Sequence, residues 1–103
     1  MSGPQREHPD ASRELRAAMA WFEDPEVAQR FLDATRSARR AIAEDPGAWP
    51  VLLTRSGARV IRRKGVAGFP YGVIYLVVDG AVFVIAYAHD RREPGYWTQR
   101  LDA

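Results

Sequence analysis

Two apolar runs, Tyr71 to Val78 and Ala81 to His89, flank Asp79-Gly80, and no other feature of this 103-residue chain constrains its fold as tightly. Asp-Gly between β-rich runs signals a two-residue hairpin, whose turn needs positive φ at both central positions. With that turn, Val78 opposes Ala81, Leu76 opposes Phe83, Ile74 opposes Ile85 and Gly72 opposes Tyr87. Side chains alternate across a strand, so one face carries Gly72, Ile74, Leu76, Val78, Phe83, Ile85 and Tyr87. The other carries Tyr71, Val73, Tyr75, Val77, Val82, Val84, Ala86 and Ala88. Both faces are apolar. Such a sheet needs a cover on each side.

One cover is legible upstream. Asp10 suits the cap of a helix running to about Glu23, with Leu15, Met19 and Phe22 on one face. Asp24-Pro25 then restarts a helix, with Asp24 as N-cap and Pro25 at the first helical position. Its apolar stripe is Val27, Phe31, Ala34, Ala38 and Ile42, and it ends before Pro46-Gly47. So short a link predicts an antiparallel helical hairpin. Ala58 to Lys64, ARVIRRK, reads as a basic strand, and Gly65 to Pro70 as a turn region. Trp49 to Gly57 reads as a link with an apolar patch at Val51-Leu52-Leu53, and Tyr96 to Leu101 as a short tail after Glu93-Pro94-Gly95.

The expected fold is α+β, one domain over residues 1–103: an N-terminal antiparallel helical hairpin packed on a small, three-stranded antiparallel β-sheet. Residues 1–9 are expected to be flexible or a short edge segment. One helix pair covers one face, so the second face is expected to stay open. An open apolar patch of several hundred Å2 points to a partner. The alternative is that the N-terminal segment and the tail fold across it.

Composition narrows the chemistry. There is no cysteine, which removes disulfides, thiolate metal sites and cysteine nucleophiles together. His8 and His89 are the only histidines and lie far apart in sequence, so no metal site and no cofactor are expected. Neither a signal peptide nor a membrane span is expected, since Asp79-Gly80 interrupts the longest apolar stretch; a cytoplasmic location follows. Charge is uneven. Residues 1–50 carry seven Arg against nine Asp and Glu, a net −2, while residues 51–103 carry eight Arg and Lys against four Asp and Glu, a net +4.

Two stretches carry a family resemblance: Phe69-Pro70-Tyr71 leading into Gly72-Val73-Ile74-Tyr75, and Ala88-His89-Asp90-Arg91-Arg92-Glu93-Pro94-Gly95-Tyr96-Trp97. Their order and spacing resemble the RelE/ParE superfamily of toxins, in the branch often labelled plasmid-stabilisation proteins. Glu14-Leu15 through Trp21-Phe22-Glu23 and the Phe31-Leu32 helix are similar to the family's helical hairpin. The resemblance implies the toxin of a type II toxin–antitoxin system, a growth inhibitor neutralised by a cognate antitoxin in a hetero-oligomer. ParE-like members poison DNA gyrase, and RelE-like members cut mRNA on the ribosome without a metal. A degenerate toxin that only binds its antitoxin is a third possibility.

Only the RelE-like reading makes the chain an enzyme. Its candidate catalytic groups are His89, Arg91, Arg62 and Lys64, arranged to stabilise charge on a crowded phosphorane. Candidates for antitoxin or target binding are Ile74, Leu76, Phe83, Ile85, Tyr87, Arg63, Arg92, Tyr96 and Trp97. RelE-like toxins generally place an arginine directly after the tyrosine of the middle-strand motif, where this chain has Gly72. That glycine is expected to leave a hollow beside Tyr87, and it tilts the reading towards gyrase poisoning.

Overall fold

The computed structural model describes residues 5–55 and 59–102. Its elements are β1 (Gln5–Glu7), α1 (Pro9–Trp21), α2 (Pro25–Glu44), β2 (Val51–Arg55), β3 (Arg59–Gly65), β4 (Tyr71–Val78), β5 (Ala81–His89) and a C-terminal 3-10 helix, Thr98–Asp102. The strands form one five-stranded sheet in the order β1-β5-β4-β3-β2. The fold is α+β, with the helical hairpin packed on one face. The sheet is larger than the expected three-stranded meander, and mixed. β1 lies parallel to β5, and the apolar patch at Val51-Leu52-Leu53 is a strand paired with β3 rather than a link. The loose reading of residues 1–4 and the expected start of β3 at Ala58 lie outside the described residues.

Helix boundaries follow local chemistry. Asp24 caps α2 as expected, its Oδ1 accepting the Glu26 N–H at 2.8 Å. The α1 cap is His8 rather than Asp10: its backbone is extended and its Nδ1 accepts the Asp10 N–H at 3.0 Å. Pro9 then fills the first helical position, where its missing N–H costs nothing. Asp10 sits inside the first turn and pairs with Arg13 one turn on.

The helix face of the sheet is sealed by interlocking aromatic rings. Phe31, wholly buried on α2, meets Phe22, Phe69 and Tyr71 with ring centroids at 5.3, 5.2 and 4.9 Å. Tilted and edge-on pairs at this spacing add to the burial of apolar area. Thr35, the one polar residue buried on α2, was not foreseen on the stripe; its Oγ1 donates to the Phe31 carbonyl at 2.8 Å.

The hairpin holds the expected register from its tip, Val78↔Ala81 to Tyr75↔Val84, and then slips by one. Ile74 pairs with Ala86, so Ile85 is an extra residue in a β-bulge, and Val73 faces Tyr87. Everything beyond the bulge changes sides. Tyr87 packs with Val73 and Val84 under the helices, instead of with Ile85, while Ala86 and Ala88 join Ile74 and Leu76 on the opposite face. Two side chains take up backbone groups at the bulge: Arg100 Nη1 donates to the Ile85 carbonyl at 2.8 Å, and Glu14 Oε1 accepts the Tyr87 N–H at 3.1 Å.

The opposite face is not open. Ile74, Leu76 and Ile85 are 2%, 3% and 0% exposed, lying in one cluster with Trp97 and Leu101 of the C-terminal tail. The expected exposed patch is therefore covered by the tail, the alternative left open in the sequence; only Phe83 of that set stays half-buried. Polar clamps hold the cover. Arg100 also donates to Glu14 Oε1 at 2.8 Å, Tyr96 Oη to Glu14 Oε2 at 2.5 Å, and Arg59 Nη1 to the Leu101 carbonyl at 2.9 Å.

Candidate binding cleft

Where the tail leaves β5 it does not close fully against the sheet edge. A cleft of about 690 Å3 opens there. Leu52 and Leu53 of β2 form one wall, Ile74 and Ala88 the floor, and the 89–98 segment with His89, Pro94 and Trp97 the other wall. Such a volume suits a few large side chains or a small ligand. β2 contributes two consecutive leucines because its own register shifts between Val51 and Leu53. Leu52 is 48% exposed, and Val51 beside it 50%.

Polar side chains also line the cleft, among them Arg63 on β3, Asp90, Arg92 and Glu93. Gly72 is buried, and a Cβ built on it would lie 2.3 Å from Arg63 Nε and 2.6 Å from Cζ. The hollow above Gly72 is therefore filled by the Arg63 guanidinium, and it does not lie beside Tyr87, which the bulge has turned to the helix side. Arg63 Nη2 donates to Asp90 Oδ1 at 2.6 Å, with the two side chains 34% and 52% exposed. An arginine thus stands over the glycine after all, supplied by the neighbouring strand and already paired with a carboxylate.

The other cations are distributed elsewhere. Arg62 Nη1 donates to the Trp49 carbonyl at 2.7 Å and lines a separate small hollow with Pro46, Val60 and Tyr75. Lys64 Nζ stands 4.3 Å from the Trp49 ring centroid. Both brace the connection from α2 to β2. His89 packs edge-on to Tyr71 at 4.9 Å, and its Nδ1 accepts the Arg91 N–H at 3.0 Å, a turn-capping contact. Arg91 is exposed, and Arg92 stacks over the Tyr96 ring at 3.9 Å. The four candidate catalytic residues are not drawn together around one hollow: Arg62, beside Tyr75, shares the helix face with His89, beside Tyr71, but the two line separate hollows.

Aromatic hydroxyls are poor proton donors here. Burial pushes Tyr87 and Tyr96 well above the ordinary tyrosine range, with hydrogen bonds to Glu7 and Glu14 adding to the shift. Tyr75, whose hydroxyl donates to the Pro46 carbonyl at 2.6 Å, is pushed up to about 12, chiefly by burial. Among the described residues no group of three or more His, Asp or Glu could hold a metal ion. None of the described helices is long and apolar enough to cross a membrane.

Sequence reasoning missed Leu52, Leu53 and Asp90 as members of this cleft. The apolar run at 51–53 was the available signal for the first two. Asp90 could be found only from the register that brings Arg63 over Gly72. A second surface feature lies across the tail: Trp21, 79% exposed at the end of α1, lines a hollow of about 310 Å3 with Tyr71, Tyr87, His89 and Arg92.

Residues 6–94 match the family model described as ParE toxin of type II toxin-antitoxin system, parDE. No curated protein matches the chain.

Proposed function

Because this chain belongs to the ParE toxin family of type II toxin–antitoxin systems, we propose that it arrests growth by seating on a protein target, with DNA gyrase the target class its family points to, and not by cutting RNA. Its role as the toxin of such a pair, with a cognate antitoxin as partner, comes with the family; the target is our reading. The observation that carries it is Arg63. The one guanidinium positioned over Gly72 is paired with Asp90 at 2.6 Å, so an incoming phosphate would have to displace that carboxylate. Arg62 and Lys64 are engaged at Trp49. A nuclease needs its cations converging on one phosphate, since charge stabilisation at the phosphorane is its principal work. Here Arg62 and Lys64 lie on the helix face of the sheet and Arg63 on the other. An apolar cleft with a paired ion at its floor suits a protein side chain better.

Induction of the toxin without antitoxin tests this. The expected outcome is a DNA-damage response, together with loss of supercoiling by purified gyrase on addition of the purified toxin. Arrest of translation with intact DNA would reverse the assignment in favour of ribosome-dependent mRNA cleavage, with His89 and Arg91 as its first suspects. An induced, folded protein that arrests nothing would make this a toxin that only binds its antitoxin.

A further inference from the structure

β2 is the last strand in the sheet order, so among the described residues one edge of its backbone has no strand partner. Natural edges of this kind are usually blunted by charge or covered. Here Val51 and Leu52 are about half exposed on that strand, at 50% and 48%, directly beside the apolar cleft. The ribbon from Arg55 to Lys64 carries five cations and no acid in the sequence. Apolar edge and hollow therefore coincide in one place, beside a basic strand whose Arg63 reaches the cleft.

We propose that this is where the antitoxin docks: an acidic antitoxin segment lies along β2, sets a large apolar side chain between Leu52 and Trp97, and takes Arg63 away from Asp90 with a carboxylate of its own. The argument for exchange is energetic. The Arg63–Asp90 pair is one-third to one-half exposed, and ion pairs in that setting contribute little to folding because water and salt screen them. Once a partner covers the cleft, the same guanidinium is desolvated, and a carboxylate facing it becomes hard to do without. Asp90 acts as a placeholder that keeps Arg63 extended over Gly72 until the partner arrives. Gly72 is required for this, because any side chain there would meet the guanidinium. The docking site rests on the antitoxin partner that family membership supplies, and it stands whether the target is gyrase or the ribosome.

The test uses the full-length toxin and the antitoxin co-purified with it when both are expressed from their own operon. Hydrogen exchange should show Leu52–Arg55 protected in the complex relative to free toxin. Arg63→Gln should weaken the complex by about 30-fold or more, and Leu52→Glu should weaken it as well. Asp90→Asn should leave affinity unchanged or raise it by up to about fivefold, since it frees Arg63 from a weak internal competitor. Circular dichroism and thermal melts of each variant establish that it is folded. Binding intact but protection confined to α1, α2 or the tail would overturn the proposal. So would an Asp90→Asn loss equal to that of Arg63→Gln, which would make the pair a structural prop. Failure of any complex to form would remove the toxin–antitoxin premise along with it.

Discussion

The two faces of this sheet are both buried, yet they are buried by different means. On the helix side, twenty residues of α2 and thirteen of α1 press a set of interlocked rings onto Val73, Tyr75 and Val84. On the other side a short 3-10 helix lays Trp97 and Leu101 over Ile74, Leu76 and Ile85, and stops short of the β2 edge. The first cover is continuous. The second is thin, held by the Glu14–Arg100 pair and single backbone contacts, and leaves a cleft. The proposed docking site lies on the second face, in keeping with functional surfaces being drawn from the less stable part of a fold.

The sharpest way to break this comparison is to cut into each cover. Phe31→Ala should cost about 3–5 kcal/mol, as aromatic truncations in cores do, read as a fall in the denaturant midpoint. Leu101→Ala should cost less, about 2 kcal/mol, the low end for leucine, because so short a covering helix can relax around the gap. Hydrogen exchange gives the same comparison without mutation: amides at the tail should open locally, while those of β4 and β5 exchange only with global unfolding. Equal protection on tail and central strands would erase the distinction between the faces.

A smaller effect probes how the first helix is anchored beside both covers. Burial, helped by the Arg100 and Arg13 charges, lowers the His8 pKa below its ordinary 6.5. Its Nδ1 must also stay unprotonated to accept the Asp10 N–H. Folded His8 thus binds its proton less readily than unfolded His8, and the unfolded state carries more protons below pH 6.5. The His8 contribution is fully present above that pH and is lost as pH falls from 6.5 towards the folded pKa. Removing the cap outright, as in His8→Ala at pH 7, should cost about 1 kcal/mol, the usual worth of an N-cap. His8→Asn keeps a capping acceptor and should flatten this part of the stability–pH curve. An unchanged slope in that variant would disprove the role of His8.

Smallest in stability is Gly72→Ala. The new methyl evicts the Arg63 guanidinium and breaks its pair with Asp90. Because that pair is partly exposed, the cost should be only about 0.2–1 kcal/mol. Antitoxin affinity should nevertheless drop, since Arg63 no longer stands over the cleft floor. A large stability loss with unchanged affinity would assign Arg63 to folding instead.

Much of this architecture was written plainly in the chain. Asp24-Pro25 sets the start of α2, and Asp79-Gly80 sets the hairpin, whose Asp79 and Gly80 take φ of 50° and 78°. The bulge at Ile85 was not legible, because a strand apolar on both faces carries no alternation to betray a slip. That single residue moved Tyr87 and His89 to the helix side and relocated the supposed hollow. β2 was missed as a strand for a related reason: five residues are too few for a pattern, whereas β1 is the short edge segment offered as one alternative for residues 1–9. The family was legible from two motifs. The cleft was not, because Arg63, Gly72 and Asp90 meet only through the pairing of β3 with β4 and the turn after β5.

The claim that most needs testing is that these cations are arranged for binding and not for cleaving RNA. Primer extension on actively translated mRNA, after induction of the unmodified toxin without antitoxin, tests it directly. The arrangement of Arg62 and Lys64 at Trp49, and of Arg63 on Asp90, predicts growth arrest with no new 5′ ends at ribosomal A-site codons. Clear A-site cuts, lost in both His89→Ala and Arg91→Ala, would contradict it and make this toxin a ribonuclease.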